Sequence, residues 1–247
     1  MKILSLFAAI ILAACGQTGQ NEVSYPILAA GIADATVAVG DWTIVLTRAD
    51  VGIGPIYFCA ASGASLDLCP HAVQEFTHDA LIDGLDPTPQ SLGQVTGVSG
   101  SLRSTKYDLG ISWPLTSSNV VPSASAPEGH SVFLAGRATR GTDSFEFTAE
   151  IDIEPSYQGA YAILGQRVDV AVADSNARLL VRVAPDQWLA RLNFDSLFAM
   201  GASPVRIADG YAALEDGSVD PRQAARNALV LAITNTQKPD FEWTTGE

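Results

Sequence analysis

Apolar and polar residues alternate without a break from Phe145 to Glu154. Phe145, Phe147, Ala149, Ile151 and Ile153 interleave with Glu146, Thr148, Glu150, Asp152 and Glu154. A period of two gives one dry and one wet face, as in a strand of an antiparallel sheet with one side solvated. The same rule predicts strands at Tyr107, Leu109, Ile111 and Trp113, and at Val168, Val170 and Val172. A third set, Leu179, Val181 and Val183, follows an Asp174-Ser175-Asn176 turn. Ser131 to Thr139 is expected to pair with Asp143 to Glu154 as a hairpin closed by Arg140-Gly141-Thr142. Trp42, Ile44 and Leu46 open another strand, with a bend at Gly52 to Pro55 before Tyr57 and Cys59. Short strands at this density predict an all-β fold, an antiparallel β-sandwich or barrel.

A helical period emerges only late. Asp220 can cap and Pro221 suits the first helical position, after which Ala225, Ala228, Leu229 and Ala232 share one face. This helix should stop near Asn235 and cover one end of the sandwich. A shorter helix or turn is expected over Pro185 to Leu192, with Trp188, Leu189 and Leu192 packed inward. Thr116 to Gly129, rich in Ser and Pro, reads as a long surface loop.

The start of the chain carries an address instead of a fold. Lys2 precedes an apolar run, Ile3 to Leu12, then Leu12-Ala13-Ala14-Cys15 with Gly16 behind it. The run is too short to span a bilayer, which takes about 20 apolar residues. It reads as a signal peptide over residues 1–14. Leu-Ala-Ala-Cys resembles the lipobox of bacterial lipoproteins, and the resemblance implies that Cys15 is lipidated and becomes the first residue of the mature chain. Acyl chains contribute about 0.8 kcal/mol per buried methylene, so two or more hold a protein on a membrane. Gly16, in place of an aspartate, implies by the same resemblance the outer membrane, with the body on its periplasmic or surface face. Residues 15–26 are assigned to the lipidated cysteine and a flexible tether, and 27–247 to a single domain.

Cleavage leaves 233 residues and removes the one charge of Lys2, so a formal charge of −13 becomes −14. That balance excludes nucleic acid as a partner and leaves the lipid as the membrane attachment. With Cys15 acylated, Cys59 and Cys69 remain as an even pair in an oxidising compartment and are expected to form a structural disulfide.

Candidate chemistry is sparse. His71, Glu75 and His78 would share one face of a helix, and imidazole with carboxylate suits copper or zinc. Phe76, Leu81 and Ile82 equally favour a strand, which would put the two histidines on opposite faces and about 23 Å apart. Solvated surface is the competing reading. His130 reads as a loop residue, and the acidic stretch Asp209 to Asp220 as a capping turn ahead of the helix. Trp42, Trp113, Trp188 and Trp243 are spread along the chain as core anchors are. No Gly-x-Ser-x-Gly elbow, His-Glu-x-x-His or phosphate loop is present.

The order of pieces over Asp41 to Glu154 resembles the MbnP-like periplasmic β-sandwich proteins. The resemblance rests on the Trp42 strand, Cys59 at a strand end, Leu109-Gly110-Ile111 before a loop, and Gly129 to Ala138. It implies copper handling and modified tryptophan. The four-cysteine pattern and the Asn-His element of that group are missing, so no ligand is carried over. The reading is a non-enzymatic envelope lipoprotein that binds or scaffolds a protein or small-molecule partner and needs no cofactor. A copper- or zinc-binding accessory protein using His71, Glu75 and His78 is one alternative, and an all-β hydrolase another.

Overall fold

The computed structural model describes residues 19–61 and 72–245, apart from the Leu164 side chain. The signal peptide, Cys15, Cys69 and His71 lie outside the described residues.

Sixteen strands are present among the described residues. The first eight are β1 (Glu22–Ala30), β2 (Thr36–Val39), β3 (Trp42–Ile53), β4 (Ile56–Cys59), β5 (Ala72–Phe76), β6 (Ala80–Asp83), β7 (Gln90–Val98) and β8 (Gly100–Tyr107). The rest are β9 (Ile111–Ser112), β10 (Val121–Pro122), β11 (Val132–Arg140), β12 (Asp143–Ile151), β13 (Ile163–Val172), β14 (Arg178–Arg182), β15 (Val205–Ile207) and β16 (Asp240–Thr244). Helices are short: α1 (Pro185–Trp188), α2 (Phe194–Phe198) and α3 (Pro221–Leu231).

Two sheets share one core. The larger has eight strands in the order β13-β8-β4-β5-β7-β1-β14-β16. The smaller has six, in the order β15-β12-β11-β3-β2 with β6 also on β3. Ile27 and Phe58 from the first and Ile44 and Phe147 from the second belong to the same apolar cluster. This is the mostly-β sandwich, close to a barrel, that the alternation predicts.

The hairpin β11–β12 shows how directly pattern becomes structure. Phe145, Phe147, Ala149 and Ile151 are all buried. Arg140 pairs with Asp143, and between them Gly141 takes a positive φ of 57°, which a tight two-residue turn demands. The bend expected at Gly52 to Pro55 is where the chain leaves the six-stranded sheet for the eight-stranded one. Gly54 has φ 113°, and a Cβ there would lie 2.2 Å from the His78 carbonyl oxygen. Glycine is the residue that fits.

The helices cover the six-stranded sheet. Asn193 caps α2, and its Phe194 ring meets those of Phe145 at 6.2 Å and Phe147 at 5.8 Å. Trp188 and Leu189 are buried, as expected for that turn. Asp220 caps α3 by accepting a bond from the Arg222 N–H, and Ala225 and Leu229 face the core. The helix runs on as a π-helical turn, Ala232–Thr236, and so ends where the sequence placed its end.

Three boundaries differ from expectation. The assigned tether is too long: β1 starts at Glu22, and Val23 and Tyr25 are 3% and 1% exposed. Alternating small and apolar residues there were masked by the polar stretch before them. The Tyr107–Trp113 segment is broken by Asp108 to Gly110, because Asp108 turns to accept the Ala162 N–H. The Thr116 to Gly129 loop is pinned by β10 on β9 and by a 3-10 turn at Pro127–Gly129.

Candidate functional site

The sandwich opens into a cleft of about 510 Å³ where β12 runs out beneath α3. Its walls come from three places. Asp152 and Glu154 flank buried Ile153 just past β12, continuing the polar half of the alternation. Arg226 and Val230 descend from α3. Thr234 and Asn235 come from the π-helical turn, a geometry that occurs disproportionately at functional sites. Asp209 and Lys238 complete the rim.

Arg226 organises the cleft. Its Nη2 donates to the Asp152 carbonyl oxygen at 3.2 Å and to the Asp209 carboxylate at 2.6 Å. Its Nε is buried and has no acceptor among the described residues. An unpaired guanidinium N–H is costly, and it can be relieved by a ligand oxygen or by ordered water. Burial lowers the pKa of the Lys238 ammonium. Glu154 is exposed and makes no ion pair among the described residues.

His130 extends the charged rim. Nδ1 lies 2.8 Å from Asp152 Oδ1 and Nε2 lies 3.5 Å from Glu150. Glu150 also accepts both arms of Arg206, and these bonds hold its carboxyl below the usual carboxylate range. His130 is thus part of an alternating row of charges and not an isolated loop residue. The alternation puts Asp152 on the wet face of a strand, and the helical period puts Arg226 off the face shared by Ala225, Ala228, Leu229 and Ala232. What neither pattern could supply was their meeting.

A second polar group lies by the sheet crossing. Asp108 is 2% exposed, and burial pushes its carboxyl up to about 7 against the opposing bond from Ala162. Asp79 is also raised by burial, and its Oδ1 has no partner among the described residues. Tyr57 and Tyr161 stand with ring centroids 5.2 Å apart, both hydroxyls raised chiefly by burial. Burial thus raises both carboxyls, and the charge of His78 opposes the rise at Asp79.

The sequence-derived metal set is divided. Glu75 sits on β5, a strand, and pairs across to Tyr57. His78 is exposed two residues beyond the strand, edge-on to the Phe76 ring at 6.2 Å. His71 lies outside the described residues. Among those described, no cluster of three or more His, Cys, Asp or Glu side chains is arranged to hold a metal ion. Cys59 is buried at the end of β4, and its expected partner Cys69 lies outside the described residues. The acidic stretch ends as expected in the Asp220 cap, with Asp216 accepting from the Ser218 N–H in a local turn.

The tryptophans anchor the fold. Trp42 and Trp188 are buried. Trp113 and Trp243 are half-buried. Each indole N–H has a protein acceptor: Asp195, Gln237, Ser117 and Tyr25 for Trp42, Trp188, Trp113 and Trp243 respectively. No helix among the described residues is long and apolar enough to cross a membrane.

No protein-family model matches the chain, and no curated protein matches it significantly. Among solved structures it is similar to MbnP from Methylosinus trichosporium, at 12% identity and a TM-score of 0.34. That match covers 84% of this chain and 87% of that one. A likeness at this level assigns no residue of this chain to a known site.

Proposed function

We propose that the protein is a lipid-anchored cell-envelope protein that binds a small ligand carrying both charge signs, such as an amino acid or short peptide, in the α3 cleft. The observation that carries this reading is the buried, unpartnered Arg226 Nε in a cleft that also presents the Glu154 carboxylate. A carboxylate or carbonyl oxygen of the ligand accepts from Arg226, a charge-assisted bond worth more than a neutral one. A ligand ammonium meets Glu154, and its side chain lies on Ile153, Ala162 and Val230. Few, well-placed polar groups on an apolar floor are what small-molecule sites use. The binding is proposed as non-catalytic, and the Ser131 hydroxyl next to His130 in the chain is engaged with the Ile153 backbone. The Leu-Ala-Ala-Cys15 motif supports acylation at Cys15 and attachment to the envelope membrane. The Cys59–Cys69 disulfide belongs to the same proposal.

A thermal-shift screen of free amino acids and dipeptides, followed by calorimetry, tests the reading. At least one amphoteric ligand should bind, with affinity falling about tenfold or more in Arg226→Leu and in Glu154→Gln. Absence of any such ligand, or binding that ignores both substitutions, would overturn it. Mass spectrometry of the mature N-terminus checks the anchor, which Cys15→Ser should release from the membrane fraction.

A further inference from the structure

The two ends of the eight-stranded sheet face each other. β13 and β16 are its edge strands, yet together they line a cavity of about 430 Å³, formed by Gln166 to Val170 and Asp240 to Trp243. The sheet therefore curls almost into a barrel and stops short of closing. No ladder joins the two edges. Across the gap Gln166 Nε2 donates to the Pro239 carbonyl oxygen at 3.2 Å.

The direction of the strands fixes what fits there. From β1, the neighbours β7, β5, β4, β8 and β13 alternate in sense, each antiparallel to the last. On the other side β14 is parallel to β1 and β16 antiparallel to β14. Both edges consequently run the same way. One added strand can lie antiparallel to both at once, and it would complete the barrel.

Polar groups near the gap are left unsatisfied. Thr105 Oγ1, Tyr107 Oη and Gln166 Oε1 are buried with no hydrogen-bond partner among the described residues. Thr105 sits directly across from Gln166 in the β8–β13 ladder, and the Tyr107 ring packs 5.3 Å from Phe241 of β16. Thr105 and Tyr107 are both 0% exposed. Buried hydroxyls and amides are normally paired, so three orphans around one gap point to something that fills it. Phe241 and Trp243 turn toward the core, whereas Asp240 and Glu242 face water. Glu242 is paired with Arg182, while Asp240 makes no ion pair among the described residues.

We propose that this gap is a strand-acceptor slot for an extended peptide whose apolar residues alternate with basic or polar ones. The peptide lies antiparallel to β13 and β16 and hydrogen-bonds to both. Its apolar residues meet Phe241, Trp243 and Val168, and its basic residues face Asp240. Edge strands are otherwise a hazard, and β13 carries register irregularities of the kind that blunt indiscriminate pairing. Strand addition takes its affinity from main-chain bonds and its selectivity from alternate side chains. The slot is separate from the α3 cleft, and neither reading depends on the other.

The test uses hydrogen exchange on the mature protein with a synthetic peptide of about nine residues, alternating valine with lysine, long enough to span the edges at ~3.3 Å per residue. A second probe carries glutamate in place of lysine, and a third is the lysine peptide N-methylated at every amide, so that neither side of the strand can donate. With the lysine probe at about 1 mM, amides of Gln166 to Val170 and Asp240 to Trp243 should slow by about tenfold or more. The N-methylated probe should protect neither edge. Asp240→Lys, an exposed substitution that leaves the fold intact, should reverse the preference between the lysine and glutamate probes. No protection by either unmethylated probe, equal protection by the methylated one, or a preference unmoved by Asp240→Lys would each overturn the proposal.

Discussion

The six-stranded and eight-stranded sheets are built from the same alternating pattern but finish differently. In the smaller sheet the hairpin β11–β12 is flanked by β3 and β15, its inner residues are covered by α2, and its tight turn matches its register. In the larger sheet the edges approach without pairing, and polar atoms beside them stay unsatisfied. Three other buried orphans among the described residues, Asp79 Oδ1 near the crossing, Asp186 Oδ1 on α1 and Arg226 Nε in the cleft, lie outside that hairpin. The comparison teaches that apolar periodicity secures a frame, while recognition is placed where the frame leaves polar groups unanswered.

The frame should be the costliest place to intervene. Phe147→Ala removes a side chain 1% exposed whose ring packs against Phe194, and it should destabilise by about 3–5 kcal/mol in denaturant titration. A loss below about 1 kcal/mol would mean that the six-stranded sheet is not the main store of stability.

Asp108, at the crossing, behaves in the opposite way. Its folded carboxyl titrates at about 7 against an ordinary 3.8, so the folded chain keeps a proton that the unfolded chain gives up. Stability from this group is therefore complete below pH 3.8, falls as pH rises to about 7, and is flat above that. Asp108→Asn keeps an acceptor for the Ala162 N–H and cannot ionise. It should match the parent at low pH and exceed it by about 1–3 kcal/mol at pH 8. A variant less stable than the parent at pH 8 would contradict the burial argument.

The smallest effect is expected at the edge itself. Arg182 and Glu242 pair on the exposed face of β16, at side-chain exposures of 48% and 52%. Glu242→Gln should shift stability by less than about 0.5 kcal/mol. A larger loss would show that the edge is more firmly built than its exposure implies.

Much of the frame was legible in the sequence because alternation is a local property. Phe145 to Ile153, the Gly141 turn, the Asp220 cap and the end near Asn235 all follow from residues within a few positions of one another. β16 was missed because Asp240 to Thr244 is short and lies behind a proline that reads as a stop. β1 was cut short for a similar reason, its first residues following a polar stretch. The candidate sites were less legible. Arg226 and Asp152 are 74 residues apart, and the two edges of the gap are brought together by the curl of a whole sheet. Local patterns do not encode such meetings. The His71, Glu75 and His78 set shows the converse: near neighbours in sequence drew the eye, while β5 is a strand that carries Glu75 and leaves His78 beyond its end.

Hydrogen exchange of the free, unliganded protein tests the contrast most directly. Amides in the β11–β12 ladder should exchange only through global unfolding, while the gap-facing amides of Gln166 to Val170 and Asp240 to Trp243 should exchange faster by orders of magnitude. Equal protection at both places in the absence of any peptide would mean that the larger sheet is already closed, and the account of an open, unanswered edge would fail.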